Sequence, residues 1–224
     1  MTLLDFPQHV AAVVFTGGCD LRCPFCHNSP LVTAIDPAEK YNTEDVLKYL
    51  SSRKKLLDGV AISGGEPLLQ VDIAGFIQKI KEMGFKVKLD TNGSFPDKLG
   101  ELVEEKLVDY IAVDIKNCRE KYPQTVGVPS YDLKNLDRSM EILKNGGIDY
   151  EYRTTVVKQL HTVEDIIKIG EWIEGAPRYF LQNFADSGRL INESAGYTAH
   201  DKETLLRMKA AVSPFVGDVQ IRGI

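Results

Sequence analysis

Cysteine is scarce in this 224-residue chain, tryptophan occurs once, and basic residues hold no majority. Four cysteines in so long a chain exclude the dense disulfide framework that staples small secreted domains. Lys and Arg number 27 against 32 Asp and Glu, a net charge of −5, which argues against a broad nucleic-acid footprint. No apolar run approaches the roughly 20 residues that a membrane-spanning helix needs. The opening Met1-Thr2-Leu3-Leu4-Asp5-Phe6-Pro7 puts no basic stretch ahead of its apolar residues, so it does not read as a signal peptide. Low-complexity tracts, internal repeats and linkers are also missing. With 43% hydrophobic and 26% charged residues, the chain is expected to fold as one cytoplasmic domain over residues 1–224, with neither membrane nor nucleic acid as a partner.

What is there is a regular alternation. Strand-like apolar runs fall at 10–15, 59–62, 85–89, 110–115, 148–157 and 179–184, with a strand-like tail at 216–222. Between them lie helix-like stretches at 43–54, 71–83, 96–106, 133–144, 163–174 and 202–211. The first has a cap candidate in Asn42 or Thr43, the second stops at Gly84, and the fourth at Asn145-Gly146-Gly147. Such a βαβ series predicts a parallel sheet with right-handed crossovers. Six repeats are too few to close an eight-stranded barrel, so the expected fold class is α/β, a partial (β/α)6 TIM-like barrel. Polar and glycine-rich residues recur where the strands end, the rim on which barrel active sites collect.

The densest of these is Gly18-Cys19-Asp20-Leu21-Arg22-Cys23-Pro24-Phe25-Cys26-His27-Asn28, directly after the first strand. Its Cys-x3-Cys-x2-Cys spacing offers three thiolates with no local fourth. Iron–sulfur clusters are commonly held by four cysteines. Three would leave one iron of a [4Fe–4S] cluster open to a substrate, much as a catalytic zinc keeps an open position. A structural zinc site would want four protein ligands, and His27 follows Cys26 too closely to reach the same metal well. Cys118, the remaining cysteine, reads as a small buried side chain, and no further set exists for a second cluster.

This loop resembles that of the radical S-adenosylmethionine (SAM) superfamily, and the later motifs fit the resemblance. It makes Cys19, Cys23 and Cys26 the cluster ligands. Gly64-Gly65-Glu66-Pro67 is by itself a strand-to-helix turn; after such a loop it resembles the SAM motif, its glycines admitting the methionine amino group to the backbone. Asp90-Thr91-Asn92-Gly93 is by itself a turn. In the resembling pyruvate formate-lyase activating enzymes this string supports SAM and a monovalent cation, which places such a cation near Asp90 and Thr91. Asp114 and Lys116 match the Asp-x-Lys that contacts the ribose, the alternative being a surface ion pair. Arg153, in an apolar strand, needs a charged partner if buried: the SAM carboxylate or a barrel aspartate. Phe25 matches the aromatic beside adenine, with core packing compatible, and Cys26-His27-Asn28 is typical of glycyl-radical enzyme activases.

Over essentially the whole chain the resemblance is to the longer anaerobic ribonucleoside-triphosphate reductase activating proteins. It rests on the opening Thr2-Leu3-Leu4-Asp5-Phe6-Pro7, Leu57-Asp58-Gly59-Val60, Tyr179-Phe180-Leu181-Gln182-Asn183-Phe184 and the ending Val219-Gln220-Ile221-Arg222-Gly223. Where pyruvate formate-lyase activases carry Pro-Tyr-His on the last barrel strand, this chain has Asn183-Phe184-Ala185. The resemblance implies reductive cleavage of SAM to a 5′-deoxyadenosyl radical, which takes hydrogen from a glycine of a partner glycyl-radical enzyme. It also implies a flavodoxin- or ferredoxin-type electron donor. The rivals are a radical SAM reaction on a small molecule and a non-catalytic iron–sulfur or zinc protein.

Overall fold

A computed structural model describes residues 2–36, 40–186 and 188–223. Seven strands form one sheet in the order β1 to β7: β1 Ala11–Thr16, β2 Gly59–Gly64, β3 Lys86–Thr91, β4 Tyr110–Asp114, β5 Asp149–Val156, β6 Arg178–Asn183 and β7 Asp218–Arg222. The helices are α1 Ser29–Thr33, α2 Thr43–Ser52, α3 Ile73–Glu82, α4 Pro96–Glu104, α5 Tyr122–Thr125, α6 Leu133–Asn145, α7 Val163–Trp172 and α8 Lys202–Val212. Each strand and helix window read from the sequence is filled, with ends moved by at most two residues. The tail adds a seventh strand to the six expected, pairing parallel with β6 from Arg178↔Asp218. The short α1 and α5 were not expected.

The chain divides into two compact units. The first covers Met1–Asp20, Pro30–Ala112 and Asn135–Asp149. Its strands pair in parallel, Ala11↔Gly59 and Gly59↔Lys86 opening the two registers. Val60, Ala61, Ile62, Val87 and Leu89 are fully buried, the near-continuous apolar run of a strand covered on both faces. Helix α3 buries Ile73, Ile77 and Ile80, and α4 buries Leu99, Leu102 and Val103, in each case the stripe that a 3.6-residue period produces. Asn42 is the cap of α2, its side chain accepting from Asp45 N–H at 2.8 Å. Ahead of β1, Thr2 and Ala11 exchange two backbone hydrogen bonds of 2.8 and 3.0 Å, and buried Phe6 packs with Ala11 and Tyr110.

The second unit covers Leu21–Ser29, Val113–Lys134 and Tyr150–Ile224. β5 pairs parallel with β6, Tyr152 facing Tyr179 in the register. Ile166 and Ile169 of α7 and Leu205, Met208 and Val212 of α8 are buried. A capping box starts α7: Thr162 Oγ1 accepts from Asp165 N–H, and the Asp165 carboxylate accepts from Thr162 N–H. The same carboxylate takes the Lys121 ammonium at 2.6 Å and the Cys118 thiol at 3.5 Å. Cys118 is thus a buried structural side chain, as expected.

Candidate functional site

The unit boundary falls within the cysteine loop, Cys19 belonging to the first unit and Cys23 and Cys26 to the second. In the first unit the loop and the glycine turn continue the β1–β2 pairing past the strand ends. Gly65 N–H donates to Thr16 O at 2.9 Å and Glu66 N–H to Gly18 O at 2.8 Å. A Cβ on Gly65 would lie 1.9 Å from Gly18 O, and Gly64 sits at φ +122°, where side chains are strained. The glycines therefore serve first to let the two loops touch. With these N–H groups committed, a backbone contact to the SAM ammonium would come from carbonyls, the acceptors an ammonium needs.

Glu66 is the hub below them. Its fully buried carboxylate accepts from Leu68 N–H at 3.0 Å, Thr91 Oγ1 at 2.7 Å and Asn92 N–H at 2.7 Å. Burial pushes its carboxyl up to about 7, against the pull of these donors. Asn92 carries the link onward: its Nδ2 donates to Asp20 Oδ1 at 2.7 Å and approaches Cys19 Sγ at 3.8 Å, while Oδ1 accepts from Ser94 N–H. Glu66, Thr91 and Asn92 thus form one hydrogen-bonded assembly with Cys19, and Gly64 and Gly65 lead directly into it. Asp90, on the opposite face of β3 from Thr91, holds the ammonium of buried Lys88 in a salt bridge. The Asp90–Thr91 place expected for a monovalent metal cation therefore already contains a cation, with the Thr91 hydroxyl committed to Glu66. A metal ion fits there poorly.

In the second unit the rest of the loop is pinned from several directions. Arg22 N–H donates to Val126 O at 2.8 Å, Asn192 N–H to Pro24 O at 2.9 Å, and Ser29 Oγ to Arg189 O at 2.8 Å. Gly127, at φ +68°, lets this contact form, since a Cβ there would lie 2.3 Å from Arg22 O. The Cys23 thiol is pushed up to about 11, chiefly by burial and against the nearby Lys116. His27 stacks on Phe184, ring centroids 5.2 Å apart, and burial holds it below its ordinary range. Phe25 is buried edge-on between His161 and Tyr197, so the core packing weighed for it is realised.

Of the partners considered for Arg153, the structure supplies the barrel aspartate: Arg153 Nε donates to Asp114 Oδ1 at 3.0 Å. Lys116 Nζ donates to Asp114 Oδ2 at 2.9 Å. This is a half-buried triad rather than a surface pair. Burial opposes the charge on Asp114 and on Lys116, but Arg153 and Lys116 hold Asp114 far below the usual carboxylate range, and Asp114 holds Lys116 above the lysine range. Asp114 and Lys116 are both charged at any working pH.

Three contributors escaped the sequence reading. His161 Nδ1 accepts from Val157 N–H at 3.0 Å, which leaves Nε2–H to donate to Lys116 O at 2.8 Å, so one neutral tautomer serves both and fixes the backbone of the triad lysine. Its signal was a histidine directly after strand five, on the functional rim. Lys88 lay in the alternation Lys86-x-Lys88-x-Asp90 of the third strand, which marks a shared face without showing that the face is covered. Asp20 lay inside the cysteine motif as an unassigned position.

Among the described residues no group of three or more His, Cys, Asp or Glu is gathered as a metal site, and no cysteine is in a disulfide. The fit to an iron–sulfur cluster rests on the donor set: three thiols in one loop, soft ligands suited to iron–sulfur clusters, with a glycine turn beside Cys19 that no Cβ could enter.

The comparisons agree with this chemistry. A family model, "Radical SAM superfamily", matches residues 13–173. A Methanocaldococcus jannaschii protein, provisionally described as a glycyl-radical enzyme activating enzyme, is 30% identical over 228 residues, covering 100% of this chain and 93% of that one. A pyruvate formate-lyase-activating enzyme of Staphylococcus aureus is 29% identical over 174 residues, 72% of this chain and 68% of that one. Among solved structures, Streptococcus suis SuiB bound to the precursor peptide SuiA matches with a TM-score of 0.75 at 18% identity. The match covers 98% of this chain and 50% of that one, so the chain spans about half of SuiB. A domain of the pyruvate-formate lyase-activating enzyme of Bacteroides vulgatus matches with a TM-score of 0.57 at 18% identity, over 74% of this chain and 99% of that one. The chain belongs to the radical SAM superfamily and, within it, to the glycyl-radical enzyme activating enzymes. It is a radical SAM enzyme, and membership implies SAM and an iron–sulfur cluster as cofactors. No helix among the described residues is long and apolar enough to cross a membrane.

Proposed function

We propose that this chain, acting as one radical SAM domain in the cytoplasm, installs the glycyl radical of an anaerobic ribonucleotide reductase. The supporting observation is the kinship over its whole length to an activating enzyme. A second point favours the reductase over pyruvate formate-lyase: Asn183-Phe184-Ala185 stands where activases of the latter carry Pro-Tyr-His.

In this reading Cys19, Cys23 and Cys26 hold a [4Fe–4S] cluster, reduced by a flavodoxin- or ferredoxin-type donor. When bound, it supplies the electron that cleaves SAM to methionine and the radical that abstracts hydrogen from the partner's glycine. The chain's own residues position and enclose. Glu66, Thr91 and Asn92 lock the glycine turn against Cys19, and backbone carbonyls of that turn meet the SAM ammonium. Asp114, kept ionised by Arg153 and Lys116, accepts from ribose hydroxyls. Lys116 donates to SAM's polar groups, its backbone fixed by His161. Phe25 and His27 supply aromatic walls near the adenine. A positive charge beside Asp90 supports SAM in the same reading.

The test is an anaerobic assay with reductant, SAM and a ribonucleotide reductase. A glycine-centred doublet in the reductase, formed alongside 5′-deoxyadenosine, is expected. A doublet only in pyruvate formate-lyase would move the assignment to that partner. Formation of 5′-deoxyadenosine only with a small molecule would refute the activase reading.

A further inference from the structure

We propose that the ammonium of Lys88 is a built-in substitute for a monovalent metal cation at the Asp90 place, so that this protein needs no sodium or potassium ion there. The proposal rests on the functional reading above, which puts a cation-supported SAM pocket at that turn.

Lys88 is 1% exposed, among the most buried large side chains of the molecule. Burying an ammonium is costly unless a carboxylate meets it. Asp90 does so: it lies two residues along β3, hence on the same face, and its carboxylate takes the Lys88 Nζ. Across the β2–β3 register Lys88 faces Ala61, whose single methyl leaves room on that face for a four-carbon stem. A larger residue at that position would crowd it. The Thr91 hydroxyl, on the other face of β3, donates to Glu66 at 2.7 Å and so offers no oxygen ligand on the Asp90 side. The ammonium thus has a carboxylate partner and a covalent tether, and it is enclosed by the fold. A metal ion would have to displace it or add a second cation to a carboxylate that is only 11% exposed.

Three measurements test this. The protein, with and without reconstituted cluster, is melted in sodium, potassium or choline chloride at matched ionic strength. SAM affinity of the loaded protein is titrated in the same salts, and sodium magnetic resonance line broadening reports direct ion binding. Wild-type protein should show the same midpoint and SAM affinity in all three salts, with no saturable sodium broadening. Lys88→Ala should lose SAM affinity about ten-fold in choline and regain most of it in sodium or potassium. A preference of the wild-type protein for sodium or potassium over choline would overturn the proposal. So would a folded Lys88→Ala protein indifferent to the salt. If Lys88→Ala does not fold, the double variant Lys88→Met with Asp90→Asn removes both charges and should fold without ion dependence. Ion dependence in that variant would equally refute the pairing. Melting and line broadening need no turnover, so failure here is separable from failure of the activase reading.

Discussion

At the scale of single residues, the three loop thiols are set apart from the fourth. Cys118 is buried against Asp165, the carboxylate that caps α7. Replacing Cys19, Cys23 or Cys26 by alanine should abolish iron binding in anaerobically reconstituted protein. Cys118→Ala should leave the iron content near normal, and a loss of iron there would sink the ligand assignment. Glu66 gives a pH signature with an unusual sign. Its folded-state value is about 7 against 4.5 for the ordinary group, chiefly through burial. Between those values the folded chain binds more protons than the unfolded one, so its unfolding free energy falls as pH rises through that window. The full shift corresponds to on the order of 3 kcal/mol. Denaturant titrations of the cofactor-free chain should show this decline. Glu66→Gln, which does not titrate, should flatten it, and an identical slope in both proteins would exclude Glu66 as its source.

At the scale of elements, the paired loops after β1 and β2 depend on the missing side chain of Gly65. Gly65→Ala puts a methyl 1.9 Å from Gly18 O, and the backbone shift this forces should cost about 1–3 kcal/mol or more in denaturant unfolding. Gly75→Ala is the control: inside α3, with nothing within 4 Å of the new carbon, it should stabilise by roughly 0.5–1 kcal/mol. A comparable loss at both positions would contradict the steric account. The long elements were legible because burial on one or both faces writes a period into the sequence. The four-residue α5 and five-residue α1 were not, since so few residues complete scarcely one turn of any pattern. The same limit applied within the site. The rim motifs could be read as residue types after strands, but the partner of Arg153 stood 39 residues away at Asp114, and only the fold brings them together. Lys88 was hidden for another reason: a strand's two-residue alternation shows which residues share a face without showing which face is covered.

At the scale of the molecule, a sheet ordered β1 to β7 ends in two outer strands, and they are protected by different means. β7 carries Asp218 and Arg222, charges that discourage another strand from pairing. β1, Ala-Ala-Val-Val-Phe-Thr, carries none, and its Phe15 is exposed. Its guard is the two-bond bridge between Thr2 and Ala11, with Phe6 anchoring the intervening turn. Thr2→Pro deletes the donor of one of those bonds and should hasten concentration-dependent self-association, followed by light scattering. Unchanged scattering would show that the bridge has no protective part. A chain that has yet to receive its metal relies on its own packing alone, and the segment ahead of β1 then works as a shelf-life device, keeping an apolar edge from templating fibrils.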